Sequence, residues 1–494
     1  MNDTVVWPVV LPFAFAVASL SAWRRPGLRA LWAAAGHLAH LLASIGLLTA
    51  VLAEGVQVLR VGGWPSPYAI SLVADLVAAL LTVLAALVGA ACVADVLLQP
   101  RERAPHPAFH ALMLMLLGGV SGAFLTGDLF NLFVWFEVLL MASFVLLALE
   151  GRPPQLEGAV KYVVLNLMSS AFFLTALGVL YGKFGTLDLA HLATVVEGGN
   201  DRAVALASAL FLVAFGVKAG LFPLFFWLPA AYHTPTPTVS ALFAGLLTKV
   251  GVYALLRVFT LVFPPGTGFA HALLLGLGTV TMVVGVLGAA SSTSLRRVLS
   301  FHVISQIGYM VLAVALQTPL ALAAAIFYLL HHILVKTNLF LVGGLIAEAS
   351  GGERLSGLGG LLQRWPLLAL VFAVPALSLA GLPPLSGFFA KLAVLRAAFD
   401  ASAWVPAAMV LLVGLFTLYS MVKLWQAAFW QPASPSAPTP ARPAGRRLLP
   451  AVGLASLTVA VGVGAGPLFE VCLAAGADLM ARTPYLEAVL GVVP

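Results

Sequence analysis

Runs of about 20 apolar residues, each closed by a short polar or proline-bearing stretch, recur along the chain, and that is the length an α-helix needs to cross a bilayer core. A spanning-length window places fourteen helices near residues 4–22, 31–53, 70–98, 109–126, 129–149, 159–181, 203–232, 237–263, 271–290, 297–315, 320–347, 366–400, 404–430 and 448–475. The pattern predicts an all-α polytopic membrane protein. The first run has Asp3 ahead of it and arginines behind it, so it reads as a membrane helix rather than a cleavable signal.

Two of these runs are longer than one span and carry prolines. The seventh contains Pro223 and Pro229, and the twelfth contains Gly381, Pro383, Pro384 and Gly387. Proline removes a backbone donor and clashes with the preceding turn, so both helices are expected to break, leaving open carbonyls at mid-membrane depth. Such breaks are tolerated where they line a polar cavity; the alternative is an ordinary kink. Lys218 stands five residues before Pro223 and Lys391 seven after Pro384. Two broken helices five spans apart imply an inverted repeat, because an odd number of spans per copy inverts the second. The expected division is residues 1–108 (spans one to three), 109–263 (first repeat), 264–430 (second repeat) and 431–494 (linker, last helix and tail).

Composition agrees: 62% of residues are hydrophobic, 9% are charged and mean hydropathy is +1.06, values outside the range of water-soluble domains. The net charge of +7 does not point to nucleic acid, because the arginines fall in short interhelical loops rather than along one face. Arg24, Arg25, Arg29, Arg101, Arg103, Arg152, Lys161, Arg296, Arg297, Arg354, Arg364, Arg442, Arg446 and Arg447 belong to odd-numbered loops. Arg60, Lys183, Arg202, Arg396 and Arg482 belong to the other face. The positive-inside rule therefore puts the odd loops in the cytoplasm and both termini outside. Cys92 and Cys472 lie singly in apolar sequence, which indicates neither a disulfide framework nor a metal site. With no Walker A sequence, no GxGxxG and no cysteine cluster, no cofactor is expected. The longest loops, near 183–203 and 431–447, are short, and the second is a Pro/Ala/Ser linker, so any driving push would arrive through the membrane plane.

Against this background the intramembrane charges stand out. Five of seven lysines, Lys218, Lys249, Lys336, Lys391 and Lys423, lie in strongly apolar sequence, as does Glu137. An ionisable group inside a bilayer costs roughly 2.5–3.5 kcal/mol on translocon scales, and such groups usually mark an ion or proton path. His332 and Lys336 are four residues apart and share a helix face, with His331 turned about 100° away. Histidine passes protons near neutral pH, so His332 and Lys336 are expected to link the two repeats, while His331 is open to packing or function. Weaker candidates are His302, Asp75 and His233, the last among the polar residues Tyr232, Thr236 and Thr238 that follow the broken seventh helix. Lys423, close to the end of its span beside Trp425, reads as snorkelling to the interface.

The stretches GDLFNLFVWFEVLLMASFVLLALEG, KAGLFPLFFWLPAAYHTPTPTVSALFAGLLTKVGVYALLR, HHILVKTNLF and GLPPLSGFFAKL resemble the antiporter-like proteins of respiratory complex I and of Mrp-type cation/proton antiporters. DLFNLFVWFEVLL looks most like the D-type subunit of the latter. The resemblance implies fourteen helices with two inverted five-helix repeats and discontinuous helices seven and twelve. It implies a proton-translocating subunit of a multisubunit Na⁺/proton antiporter in a bacterial cytoplasmic membrane, with other hydrophobic subunits as partners, including a large A-type and a C-type subunit. The alternatives are the same proton path in a redox-driven complex, or an inactive scaffold. The resemblance also assigns roles. Glu137 and Lys218 would form an ion pair that opens and closes, Lys249 would relay protons toward the centre, and Lys391 would exchange them with one aqueous side.

Overall fold

The computed structural model describes residues 3–100, 105–196, 201–263, 269–432 and 445–491. Arg101, Arg103, Arg442 and most of the 431–447 linker lie outside the described residues. The chain is almost wholly helical. It begins with α1 (Trp7–Ser21) and α2 (Pro26–Glu54), followed by a two-stranded antiparallel ribbon of β1 (Gln57–Arg60) and β2 (Ser71–Ala74). Next come α3 (Leu76–Leu97), α4 (Phe109–Leu125), α5 (Leu129–Ala148), α6 (Pro153–Phe184), the short α7 (Leu189–Val195), α8 (Arg202–Ala219) and α9 (Trp227–Ala231). The central elements are α10 (Pro237–Leu261), α11 (Ala270–Ser291), α12 (Leu295–Leu316) and α13 (Pro319–Ser350). The last are α14 (Leu361–Arg364), α15 (Pro366–Ala380), α16 (Ser386–Asp400), α17 (Trp404–Trp425), α18 (Leu449–Val463), α19 (Ala465–Ala481) and α20 (Thr483–Leu490).

Among the described residues eleven helices are long and apolar enough to cross a membrane, and α1, α4 and α15 are shorter apolar helices. Each expected span coincides with helix, with three informative differences. The third begins later, because residues 71–74 pair with β1 and Asp75 caps α3 by accepting from Ala78 N at 2.9 Å. The last is divided at Gly464 into α18 and α19. Lys423 does not snorkel freely: its Nζ donates to the carbonyls of Ala290 (2.8 Å) and Ser292 (2.7 Å) and so caps the C-terminus of α11.

The interior is built around α10, α12 and α13, nearly all of whose residues are buried, whereas most residues of α2, α11 and α17 are at least partly exposed. Small residues let these backbones approach closely. A side chain at Gly251 of α10 would lie 2.6 Å from Ala219 N, and one at Gly285 of α11 would lie 2.4 Å from Ser305 N.

Both long spans break, and glycine ends each first half. Gly220 (φ 83°) terminates α8, with Leu221 N reaching back to Gly216 O at 2.9 Å. Gly381 (φ 94°) terminates α15 with the same bond from Leu382 N to Leu377 O at 3.1 Å. Pro223, Pro383 and Pro384 follow in the non-helical links. Pro229 does not break a helix but sits inside the single turn of α9. Carbonyls near the ends of both first halves find side-chain donors. Trp227 Nε1 donates to Val217 O at 2.9 Å, and Lys391 Nζ donates to Ala380 O at 2.9 Å.

The even-numbered loops gather at one end of the bundle. There Leu129 N bonds Leu187 O and Leu189 N bonds Gly127 O, each at 2.9 Å. The odd-numbered loops gather at the other, where Leu295 N bonds Glu353 O and Leu355 N bonds Thr293 O, again at 2.9 Å. At the even-loop end Asp75 pairs with Arg257 Nη2 at 2.6 Å, both largely buried, while Tyr485 of α20 faces the guanidinium with its ring centroid 5.2 Å away. Removing one partner of a buried pair leaves an uncompensated charge and costs about 3–5 kcal/mol, whereas replacing both with apolar residues is often near neutral. Asp75→Ala should therefore lower the unfolding midpoint of the solubilised protein markedly. The double variant Asp75→Leu/Arg257→Met should recover much of the loss, as thermal aggregation would show.

Candidate functional site

Glu137 projects from the middle of α5 toward α6, where Ser170 Oγ donates to its Oε1. The same hydroxyl accepts from Lys218 Nζ of α8 at 3.3 Å. The direct Glu137–Lys218 ion pair expected from the sequence is thus not formed here, and one hydroxyl stands between acid and base. Lys218 is 3% exposed and its ammonium lies 4.8 Å from the Phe136 ring centroid, an arrangement that stabilises a desolvated cation. Ser170 went unnoticed in the sequence; its signal was a Ser-Ser pair inside an otherwise apolar span.

Next inward lies Lys249 on α10, fully buried, donating to Ala244 O and, at 3.3 Å, to Thr248 Oγ1. Gly251 packs onto the backbone of Lys218 and Ala219, which holds the two lysine-bearing helices together. Lys336 and His332 of α13 lie within electrostatic reach of Lys249, and all three are fully buried. Lys336 Nζ donates to Leu299 O at 3.2 Å. Among the described residues, neither ring nitrogen of His332 or of His302 on α12 has a hydrogen-bond partner, nor has either amide atom of Asn338. Fully buried polar atoms of this kind are satisfied by internal water, so the space between α10, α12 and α13 is suited to hold a hydrated thread.

The third group surrounds the second helix break. His331 shares a hydrogen bond with Ser386 Oγ at 2.8 Å; Ser386 meets Ser378 Oγ at 3.0 Å, and that hydroxyl accepts from Gly387 N at 3.2 Å. Lys391 is close by, 5.5 Å from the Tyr309 ring centroid. His331 therefore connects α13 to the break. His233 Nδ1 donates to Pro229 O (2.8 Å) at the odd-loop end, half-buried, and Asp75 is held by Arg257 at the opposite end. Neither joins these three groups. A further buried pair, missed in the sequence though spaced three apart in AAAGHLAHLLAS, is His37 and His40 of α2; His40 Nε2 meets Ser121 Oγ at 2.9 Å. Among the described residues no cluster of His, Cys, Asp and Glu has metal-binding geometry.

Residues 126–417, which hold all three groups, match the family model described as NADH:quinone oxidoreductase/Mrp antiporter, TM. The chain belongs to this family. Within the NADH:quinone oxidoreductase/Mrp antiporter family it is 43% identical over 491 residues to the D-type subunit of the Na⁺/H⁺ antiporter of Alkalihalophilus pseudofirmus, covering 99% of this chain and 100% of that protein. Its fold is similar to a chain in the Mrp complex from Dietzia sp. DQ12-45-1b, with a TM-score of 0.91 and 34% identity over 99% of this chain and 100% of the other. A chain of the membrane-bound sulfane sulfur reductase, an archaeal respiratory membrane complex, superposes with a TM-score of 0.93 at 28% identity, again over 99% of this chain and 100% of the other.

Proposed function

We propose that this chain is the proton-translocating subunit of a multisubunit Na⁺/proton antiporter. Its buried acid, lysines and histidines carry protons along an axis through the bundle: Glu137, Lys218, Lys249, His332 with Lys336, and Lys391. The observation that carries this reading is the grouping of ionisable residues, from α5 through α8, α10 and α13 to α16, around fully buried polar atoms that need water. The Na⁺/H⁺ antiporter naming of full-length relatives supports the cation. We further propose that α4–α10 and α11–α17 are two inverted repeats. Two resemblances between the halves support this: the matching glycine-ended breaks, and the paired backbone bridges at opposite ends of the bundle. The bacterial sources of the relatives support a bacterial cytoplasmic membrane, and the charge distribution supports arginine-rich odd loops inside and both termini outside. The partners are other hydrophobic subunits, including an A-type and a C-type subunit.

A second reading, a proton-pumping subunit of a redox-driven complex, draws on the TM-score of 0.93 to a respiratory complex, but identity favours the Mrp relatives, 34% against 28%. Gentle purification through a tag, followed by mass spectrometry, separates the two. The antiporter reading expects hydrophobic partners without redox cofactors, and Na⁺-dependent proton movement in vesicles; copurifying iron–sulfur subunits would overturn it in favour of the redox reading.

A further inference from the structure

A cleft of about 740 Å³ opens at the odd-loop end between α3, α6, α10 and α13. Its inner wall holds a carboxylate that the axis above does not use. Asp95, near the C-terminus of α3, is 5% exposed; its Oδ2 accepts from Thr238 Oγ1 at 2.5 Å and from Gln99 Nε2 at 3.4 Å. Arg447, just ahead of α18, reaches across the cleft: its Nη2 is 3.9 Å from Asp95 Oδ1, and its Nη1 pairs with Glu348 of α13.

The position of Thr238 gives this cluster its direction. Eleven residues separate Thr238 from Lys249 on the same helix, about three turns, which at about 100° per residue returns to within 20° of the same face. Between them stands Gly245, where a side chain would lie 2.3 Å from Thr337 Oγ1. The missing side chain leaves room for that hydroxyl beside the stripe. Thr337 in turn lies on the face of α13 that carries the cleft-lining Leu341, Gly344 and Glu348, at helical steps of four, three and four. Thr238 on α10 and Thr337 on α13 thus lie between the cleft and Lys249, with glycine and leucine at the positions between; the Thr337 hydroxyl donates to Ile333 O at 2.9 Å and keeps its lone pairs for water, and the amide of Asn338, without a partner among the described residues, lies one residue from Thr337.

We propose that Asp95 is the proton-exchange group of the cytoplasmic mouth, passing protons between the cleft and Lys249 by way of Thr238, Thr337 and intervening water, with Arg447 as the arm that closes the mouth. The step is proton transfer alone. Water in the cleft gives a proton to the carboxylate, and the next water along α10 takes it, or the reverse. Among the described residues the charged groups facing Asp95 are Arg447 and Glu348, and His106, Glu150, Arg152 and Arg296 line the same cleft; α2 and α4 bring Arg29 and His110 to an adjoining cleft that Gln99 also lines, Cys92 lies one turn away on α3, and α10 offers the Thr238 hydroxyl. This inference rests on the proton-translocating reading and adds a residue and a location to it.

The test uses the assembled complex in inside-out vesicles, where pH at the cytoplasmic face is set by the medium. Asp95→Asn keeps the shape of the cluster and removes its proton site. Exchange rate against external pH should move about one unit toward acid, a tenfold loss of apparent proton affinity with the maximal rate retained, and Asp95→Glu should restore the profile. In a Cys92→Ala background, Thr238→Cys should react with a membrane-impermeant maleimide from the cytoplasmic side alone. An unmoved pH profile in Asp95→Asn, or a lower maximal rate on an unmoved profile, overturns the proposal, as does labelling from the opposite side. Glu137→Ala in the same vesicles keeps the two readings apart. If it is inactive while Asp95→Asn is unchanged, the mouth is wrong and the axis stands; if both are fully active, the axis itself is wrong.

Discussion

Glu137→Ala, expressed in the assembled complex, should abolish Na⁺-driven proton movement while the amount of each partner protein stays unchanged. The reason is electrostatic. Across a single hydroxyl, about 5 Å, two unit charges at an effective dielectric near 20 interact by about 3 kcal/mol. That is roughly a hundredfold in any equilibrium that depends on the charge of the neighbour. With the acid gone, Lys218 keeps the Ser170 hydroxyl and the Phe136 ring, and its protonation no longer responds to an event on the Glu137 carboxylate. Ser170→Ala makes the contrast. Both charges remain but the hydroxyl that touches both is lost, so exchange should fall by about ten- to a hundredfold rather than vanish, since a hydrogen bond to a charged group contributes about 1.5–3 kcal/mol. Alkalinisation of the vesicle lumen on Na⁺ addition to the medium, followed with a pH-sensitive dye, reads both. Full exchange in Glu137→Ala would remove Glu137 from the path.

Much of this arrangement was legible in the sequence because hydrocarbon makes polar residues conspicuous. Glu137, Lys218, Lys249, Lys336 and Lys391 each interrupt a run of apolar residues, and the cost of burying them is what drew attention. The break at Pro383 and Pro384 was readable for a related reason, since a missing donor must be compensated within the membrane. The residues that escaped notice are cheap ones. Ser170, Ser378 and Ser386 fit anywhere in a membrane helix, where a serine normally bonds its own backbone, as Ser44 does to His40 O at 2.7 Å. Only the packing of α6 against α5 and α8, and of α16 against α13 and α15, shows that these three face other chain segments instead. Asp75 erred the other way. Sequence placed it inside a span, but the pairing of residues 71–74 with β1 moves it to the helix cap, and its partner Arg257 is remote in sequence. Gly220 was passed over because the nearby prolines gave the louder signal, although the left-handed turn that ends α8 needs glycine.

The two breaks share backbone geometry and differ in what satisfies them, and the difference leads to the sharpest test. In the first, the nearby carbonyl of Val217 is met by the indole of Trp227, a donor that never titrates at physiological pH. In the second, the Ala380 carbonyl is met by Lys391, which does titrate, and whose stem is packed so closely that a side chain at Gly381 would fall 2.9 Å from Lys391 Cδ. The second break can therefore couple the presence of a proton to the strength of the hydrogen bond on a backbone carbonyl, because a neutral amine still donates but without the charge-assisted gain, and the first cannot. Lys391→Arg preserves the positive charge and supplies a donor for Ala380 O, but guanidinium does not release its proton at any physiological pH. If Lys391 hands protons on, that variant should assemble normally, with exchange reduced by at least about a hundredfold, as large as the loss of a transferred group elsewhere in a proton relay. Lys391→Met, which lacks both charge and donor, should be as inactive and also less stable, since the Ala380 carbonyl loses its side-chain partner at a cost of about 1–3 kcal/mol. The informative comparison is between the two variants. Equal inactivity with a stable arginine form marks a proton-transfer group, whereas normal exchange in Lys391→Arg would mean that the lysine acts only through its fixed charge.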